Sequence, residues 1–121
     1  MKALLVDLDD TLLDYSGGVD ECWAGACHRV AAPAGVDPAR LIPQVARSRR
    51  WQWDDPVRHR MERTDMMGAW TKIVAHALPE IGAERNGLAA EVAEAYAESR
   101  WRRMALYPGV RVALGGLRAR G

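Results

Sequence analysis

An uninterrupted apolar run opens the chain and predicts its first secondary-structure element. Residues 3–6 read Ala-Leu-Leu-Val, and the polar stretch Asp7-Leu8-Asp9-Asp10-Thr11 follows them. A short apolar run without alternation is typical of a strand that is buried on both faces, as in a parallel sheet. The pattern therefore predicts a strand with carboxylates at its carboxyl end, where open α/β sheets bind their ligands.

Helical spacing of apolar residues dominates the rest of the chain. Within residues 57–78 an apolar stripe at helical spacing is formed by Met66, Trp70, Ile73, Val74, Ala77 and Leu78. Pro and Gly residues mark the ends of these segments, and Asp37-Pro38 is a favourable helix start. The pattern predicts a loop at 51–56 and helices over residues 19–32, 37–50, 57–78, 88–104 and from residue 110 onward.

The length, net charge and cysteine content of the chain limit its size class, its partners and its redox environment. The 121 residues fit one small domain, and a formal net charge of +1 gives no electrostatic reason to expect nucleic acid or membrane as a partner. No apolar stretch approaches the length of a membrane span. Cys22 and Cys27 lie on one predicted helix, a poor arrangement for a disulfide, and no signal peptide precedes the first strand. These features predict reduced thiols and a cytoplasmic protein.

The charged residues are unevenly distributed along the chain. Five Asp residues lie within the first 20 positions, whereas residues 40–63 hold seven Arg and three acidic residues. The acidic segment is consistent with a metal site, and the basic one could face an anionic substrate. Within it, Arg58-His59-Arg60 could contact an anionic group or form a solvated basic face. Trp51 and Trp53 could stack on a substrate ring or pack within the helical region.

Asp7 and Asp9 suit one kind of chemistry. A concentration of carboxylates is costly unless a cation or a reaction requires it. One carboxylate can attack as a nucleophile and form an aspartyl-phosphate, while a second exchanges a proton with the leaving group and with water. Hard oxygen ligands also favour Mg²⁺, which would offset the repulsion between an anionic substrate and an anionic nucleophile.

The stretch Leu4-Leu5-Val6-Asp7-Leu8-Asp9-Asp10-Thr11-Leu12 resembles the first motif of the haloacid dehalogenase superfamily, an apolar strand followed by DxDxT. The resemblance implies that Asp7 is the nucleophile and a Mg²⁺ ligand. It implies that Asp9 is the general acid/base and that its backbone carbonyl is the second protein ligand to the metal. Thr11 would support the turn. Members that break carbon–halogen bonds usually lack the second aspartate, so Asp9 favours a phosphatase.

The order of the predicted elements is similar to the same family. The implied fold class is α/β, a Rossmann-like core with a helical cap, although this chain would be mostly α-helical with one core strand. Residues 1–16 would form that strand and the catalytic loop, 17–106 the cap, and 107–121 the return to the core. The Tyr107-Pro108-Gly109-Val110 turn before a Leu-x-x-Leu helix resembles this return. The layout is most similar to phosphatases of small metabolites, including those that act on sugar phosphates and acylneuraminate phosphates.

Part of the family's catalytic set is not found in the sequence. The resemblance also implies a Ser or Thr that binds phosphate, a Lys that stabilises the nucleophile, and a late acidic pair that completes the metal shell. The chain has only two Lys, Lys2 and Lys72, and neither is in the expected position. We therefore expect the amino-terminal portion of such an enzyme, inactive by itself. Its partners would be a small phosphorylated metabolite and either the rest of the core or a second copy of the chain.

Other interpretations of the sequence remain open. The chain could be a non-catalytic remnant, or a helical interaction module whose partner supplies the missing sheet. The aspartates could also belong to a simple strand end, with Asp10 or Asp14 capping the next helix. A calcium-binding EF-hand loop is excluded, because the positions of its Gly and Glu, counted from Asp7, hold Leu12 and Gly18.

Overall fold

Five helices pack into one unit, and a sixth lies apart from them. The computed structural model describes residues 3–121, and 65% of the chain is helical, which confirms the prediction of a mostly helical chain. Within these residues, no helix combines the length and apolar character needed to cross a membrane. The helices are α1 Val19–Ala26, continued by a π-helical turn at Cys27–Ala31, α2 Pro38–Trp53, α3 Pro56–Glu62, α4 Met66–Glu80, α5 Leu88–Arg103 and α6 Val110–Ala119.

The core forms where α4 packs on α2 and α5, and where α1 packs on α5. The apolar stripe predicted for α4 is the face that it buries, including Trp70, Ile73 and Val74. Trp23 of α1 stacks on Tyr96 of α5 with 3.8 Å between ring centroids, and Trp70 meets Tyr96 edge-on at 5.1 Å. These aromatic contacts join three helices, so removal of one ring affects several interfaces.

Two helix boundaries differ from the sequence prediction. The helix expected to end near Arg50 continues to Trp53, and the helix expected over residues 57–78 is broken at 63–65. The break has a local cause, because the Asp65 carboxylate accepts a hydrogen bond from the backbone N–H of Gly68 at 2.9 Å and starts a new helix. Asp55 caps α3 in the same way, with bonds to the N–H groups of Val57 and Arg58.

The predicted strand at residues 3–6 is not formed, and the described part of the chain contains no strand or sheet. This is a correction to the expectation of one core strand. Residues 3–8 have no regular structure, and the side chains of Leu4, Leu5 and Val6 are 52%, 96% and 45% exposed. The physical reason is that a strand requires a neighbour that accepts its backbone hydrogen bonds and covers its faces. Within residues 3–121 no such neighbour is present.

Helix α6 makes no contact with the other helices of the described chain. Its residues Leu114 and Leu117 instead line a cavity of about 430 Å³ shared with Ala3, Leu4 and Val6. Gly121 also lines it, and among the described residues around it Arg118 is the one charged side chain. The side chains of this cavity are therefore mainly apolar.

The chain enters and leaves the helical unit at one place. The backbone N–H of Asp14 donates to the carbonyl of Ala105 at 2.8 Å, and that of Tyr107 donates to the carbonyl of Leu12 at 3.0 Å. Leu106 lies opposite Leu13 in an isolated antiparallel bridge. These bonds hold the aspartate-containing loop against the segment that follows α5.

Candidate functional site

The DxDxT stretch forms a tight turn stabilised by its own backbone. The Leu8 carbonyl accepts hydrogen bonds from the N–H groups of Leu12 at 3.0 Å and Leu13 at 2.9 Å. At Asp10 the backbone has φ = 54°, and among the described residues Asp10 is the only one other than Gly with a positive φ. Asp tolerates this left-handed conformation better than most residues, because its short polar side chain can form local hydrogen bonds. The sequence of this turn therefore matches its geometry.

Asp10 fixes the loop that follows the turn. Its carboxylate accepts hydrogen bonds from the backbone N–H groups of Tyr15 at 3.0 Å and Ser16 at 2.8 Å, and from the Ser16 hydroxyl. Asp14 accepts one from the N–H of Gly17 at 2.9 Å. Neither aspartate caps the next helix, because α1 has no side-chain cap. Asp10 therefore has a structural role in the loop, and its carboxylate is already engaged.

These hydrogen bonds make the Asp10 loop sensitive to acid. The Ser16 hydroxyl first, and then the Ser16 N–H, hold the pKa of Asp10 below its ordinary value of 3.8. A lowered pKa in the folded state means that the ionised carboxylate stabilises the loop above the ordinary pKa, and that this stabilisation is lost as the pH falls through the folded value. In an NMR titration, the Ser16 amide should shift with a midpoint below pH 3.8. Asp10→Asn should abolish this transition, and a midpoint at or above 3.8 would contradict the assignment.

The two aspartates proposed as catalytic residues have different surroundings. The Oδ2 atom of Asp7 accepts a hydrogen bond from the Thr11 hydroxyl at 3.1 Å, and both residues are exposed. This contact places Thr11 beside Asp7 within the turn. Asp9, also exposed, instead lines a cavity that opens toward the helices. Asp7 is not part of that lining, so the structure brings Asp9 but not Asp7 to the cavity.

The cavity beside Asp9 has a volume of about 410 Å³ and combines acidic, basic and aromatic groups. Small-molecule sites in proteins commonly occupy about 300–1,000 Å³. The lining is drawn from the DxDxT turn, from the loop after it and from α1 through α5. Its residues are Asp9, Tyr15, Val19, Trp23, Arg49, Trp53, His59, Arg63, Met66, Trp70, Ile73 and Tyr96.

Three basic side chains reach this cavity from the predicted basic segment. Arg49 of α2 forms an ion pair with Asp20 at 2.5 Å. His59 and Arg63 come from α3 and its carboxyl end, one helical turn apart, so they share a face. Because the Asp55 carboxylate caps α3, it fixes the residue at which the helix begins and therefore which residues share the face that contains His59. The prediction that the basic segment could face an anionic substrate is compatible with this arrangement.

The other residues singled out in this segment have structural contacts instead. Arg58 packs over the Trp51 ring at 4.3 Å, donates to the Trp51 carbonyl at 2.9 Å, and lies 3.6 Å from Asp55. Trp51 also stacks on His76 at 3.9 Å. Arg60 does not line the cavity. Of the two tryptophans considered for substrate stacking, Trp51 is therefore occupied by protein contacts and Trp53 faces the cavity.

Arg100 is an internal basic residue that sequence reasoning missed. Its side chain is 2% exposed, its Nη1 atom donates to the Gly17 carbonyl at 2.8 Å, and its guanidinium carbon lies 5.3 Å from the Tyr15 ring centroid. Its Nη2 atom has no hydrogen-bond partner within residues 3–121. The sequence did contain a sign that Arg100 is buried, because Arg100 follows Val92 and Tyr96 at intervals of four residues and so lies on the buried face of α5. Arg100 ties the loop that contains Tyr15 to the helical unit.

The described residues contain no group of three or more His, Cys, Asp or Glu side chains that could hold a metal ion. Asp7 and Asp9 provide oxygen donors of the kind that Mg²⁺ prefers. Mg²⁺ often binds proteins through one or two carboxylates, with water and substrate phosphate completing its shell. The donor set is therefore suitable in type, although it is small.

Comparisons of the chain with protein-family models, with curated proteins and with solved structures find no match. The candidate site therefore stands on its own residues and on the sequence resemblance described above.

Proposed function

We propose that this chain carries the nucleophile loop and helical cap of a haloacid-dehalogenase-like phosphatase that acts on a small phosphorylated metabolite. The observation that supports the proposal most strongly is that Asp9 and the three basic residues line one cavity of about 410 Å³. An anionic substrate that fills this cavity and extends past Asp9 toward Asp7 would meet basic groups on the helical side, and Asp9 and then Asp7 on the loop side. The DxDxT motif alone would not predict that Asp9 shares a cavity with basic side chains.

In the proposed reaction, a carboxylate oxygen of Asp7 attacks the phosphorus atom. A bond forms between Asp7 and phosphorus, the ester P–O bond breaks, and Asp9 gives its proton to the departing oxygen. Water then attacks the aspartyl-phosphate while Asp9 takes up a proton, which releases inorganic phosphate and restores Asp7. The hydrogen bond from Thr11 to Asp7 orients the nucleophile for the first step.

Mg²⁺ is the cofactor of the proposed enzyme. The Asp7 carboxylate and the Asp9 backbone carbonyl would hold the ion, which when bound supplies positive charge that offsets the repulsion between the phosphate and Asp7. We also propose a cytoplasmic, reducing environment, because Cys22 and Cys27 are free thiols buried in the core.

The chain by itself is expected to turn over little substrate. Lys72, on α4, pairs with Glu62 and does not line the cavity, and Lys2 lies outside the described residues. Among residues 3–121, no lysine lines the cavity, so the described lining does not supply the lysine that the resemblance implies. Apolar surface on α6, where Val112 is 80% exposed, also favours the alternative of a helical module that a second chain completes. A non-catalytic remnant is the other alternative.

Two assays of phosphate-ester hydrolysis test this proposal. With p-nitrophenyl phosphate and Mg²⁺, the 121-residue chain should give no more product than its Asp7→Asn variant. If the reading frame continues past Gly121, a product that adds the implied Ser/Thr, Lys and acidic pair should hydrolyse the ester. In that product Asp7→Asn should reduce the rate by more than about 10³-fold, the scale expected for loss of a covalent nucleophile, while the exposed control Asp54→Asn should not.

The outcomes separate the alternatives. Mg²⁺-dependent hydrolysis by this chain alone, abolished by Asp7→Asn, would show that the present residues suffice and would contradict the expected inactivity. An extended product that is equally active with Asp7→Asn would overturn the proposed reaction. A stop codon followed by related sequence out of frame would favour the remnant. Co-purification with a second chain carrying the missing motifs would favour the module.

A further inference from the structure

The wall of the cavity contains a positive charge that the protein does not neutralise. Arg63 lies at the carboxyl end of α3 and forms no ion pair within residues 3–121, in contrast to Arg49, which pairs with Asp20. His59 lies beside it on the same face of α3. Because a guanidinium is charged at all physiological pH values, Arg63 provides a permanent partner for an anion in the cavity. This anion would be separate from the phosphate that reacts with Asp7.

The floor of the cavity suits a flat ring. Trp23 and Tyr96 stack within 10° of parallel, and Trp70 is held edge-on against Tyr96 at 82°, so the buried rings fix one another. Because Trp23 and Tyr96 cover each other's facing sides and both are buried, they offer a ligand mainly their edges, whereas the half-buried Trp53 offers exposed ring surface. Planar, apolar groups stack on such surfaces or meet such edges.

The same lining disfavours a hydroxyl-rich ligand. Among the described residues around the cavity there is no Ser, Thr, Asn or Gln, and besides the charged side chains its polar groups are two tyrosine hydroxyls, three indole N–H donors and the His59 ring. This lining offers more donors than acceptors, so the hydroxyl hydrogens of a sugar would find few acceptors besides Asp9, and each unmade hydrogen bond costs binding free energy. The lining therefore argues against the sugar phosphates that the layout of the sequence suggested.

We propose that the substrate is a phosphate monoester of a planar aromatic ring that carries a second anionic group, such as a carboxylate, at the end remote from the phosphate. The phosphate would lie toward Asp9, the ring against the aromatic floor, and the second anion at Arg63, which can bind a carboxylate through two parallel hydrogen bonds. This inference rests on the proposed phosphatase function and specifies its substrate class. Arg63 is then a residue that determines specificity.

A matched pair of ligands tests this proposal. Phenyl phosphate and 4-carboxyphenyl phosphate differ only in the remote carboxylate, and their binding to the full chain can be measured by calorimetry without Mg²⁺, so that no turnover occurs. We expect the carboxylated ester to bind about tenfold or more tightly than phenyl phosphate, the range expected for a charge-assisted pair. Ribose 5-phosphate should bind more weakly than either, because the lining offers its hydroxyl hydrogens few acceptors and its sugar ring does not match the aromatic surfaces.

Variants of α3 assign the effect to one residue. Arg63→Gln should bring the ratio of the affinities for 4-carboxyphenyl phosphate and phenyl phosphate close to one, because only the carboxylated ester loses a second charge-assisted contact. Arg60→Gln is the matched control, because Arg60 is exposed on the same helix and does not line the cavity. Circular dichroism of both variants verifies that the helices remain folded.

The results separate failure of this inference from failure of the proposed function. Equal affinity for the two esters, or equal effects of Arg63→Gln and Arg60→Gln, would overturn the assignment of Arg63 and leave the phosphatase proposal in place. Tighter binding of ribose 5-phosphate than of phenyl phosphate would overturn the aromatic substrate class. If neither ester binds, or if benzoate binds as well as its phosphorylated form, the proposed function fails together with this inference.

Discussion

Replacement of Trp23 by alanine is expected to lower the free energy of unfolding by about 3–5 kcal/mol, the range typical of large aromatic truncations in a core. Trp23 is 3% exposed and stacks on Tyr96 at 3.8 Å. The substitution removes the main aromatic contact between α1 and α5 and leaves a cavity that rigid neighbours cannot fill. Because small domains are stable by only about 5–15 kcal/mol, this loss is a large part of the total.

Urea unfolding followed by far-ultraviolet circular dichroism measures this effect, and the chain provides its own control. Trp101 lies on the outer side of α5 and is 70% exposed, so Trp101→Ala should change the free energy of unfolding by no more than about 0.5 kcal/mol. Equal destabilisation by the two substitutions would mean that Trp23 is not a core residue.

A rise in pH above 9 is expected to lower the free energy of unfolding by an amount comparable to that of a core mutation. Burial raises the pKa of the Cys27 thiol from its ordinary 9.0 to about 11, and it raises the pKa of Tyr96 from 10.0 to about 12. A raised pKa means that the neutral group stabilises the fold fully below the ordinary value, and that this stability is lost as the pH rises toward the folded value. For Cys27 the two values correspond to about 2–3 kcal/mol, lost between pH 9 and pH 11. Tyr96 adds a further loss between pH 10 and pH 12.

The free energy of unfolding should therefore be measured by urea titration at several pH values between 7 and 11. Wild type should lose stability above pH 9, Cys27→Ala should show a flatter dependence, and Tyr96→Phe should flatten the part above pH 10. The alanine substitution lowers stability at every pH because it removes a buried sulfur, so the slopes are compared and not the absolute values. An unchanged slope in Cys27→Ala would show that ionisation of this thiol is not coupled to unfolding.

The positions of the helices were largely predictable, because the residues that are apolar at helical spacing in the sequence are also the ones that the helices bury. The stripe of Trp70, Ile73 and Val74 predicts the buried face of α4, and the structure confirms it. The break before α4 was not predicted, although residues 62–65 are all polar and the apolar stripe begins only at Met66. The Asp65 carboxylate can accept a hydrogen bond from the Gly68 N–H and start a new helix, or it can point to solvent from the middle of a continuous helix. The sequence pattern does not reveal which of these two arrangements has the lower free energy.

The first segment shows the opposite case. Residues 3–6 have the composition of a buried strand, but a strand is defined by its neighbours, and sequence pattern does not reveal whether a neighbour is present. The candidate site was unpredictable for the same reason, because it is formed by residues that become neighbours only in the folded chain. Asp9 and Arg63 are distant in the chain and meet at one cavity only through the tertiary fold. Packing of α3 against α2 and α4 positions Arg63, and the hydrogen bonds from Arg100 to Gly17 and from Asp14 to Ala105 hold the loop that contains Asp9. The i, i+4 spacing of His59 and Arg63 was the one local sign of a shared face.

The paired hydrogen bonds between residues 12–14 and 105–107 make the helical unit transferable. Since its first and last residues are neighbours in space, a gene segment encoding it can be inserted between two adjacent residues of another protein and distort that host little. The same closeness permits circular permutation, with a short linker across the junction and new termini in an exposed loop. Helical units of this kind can thus be exchanged between hosts, and their binding residues would be carried with them.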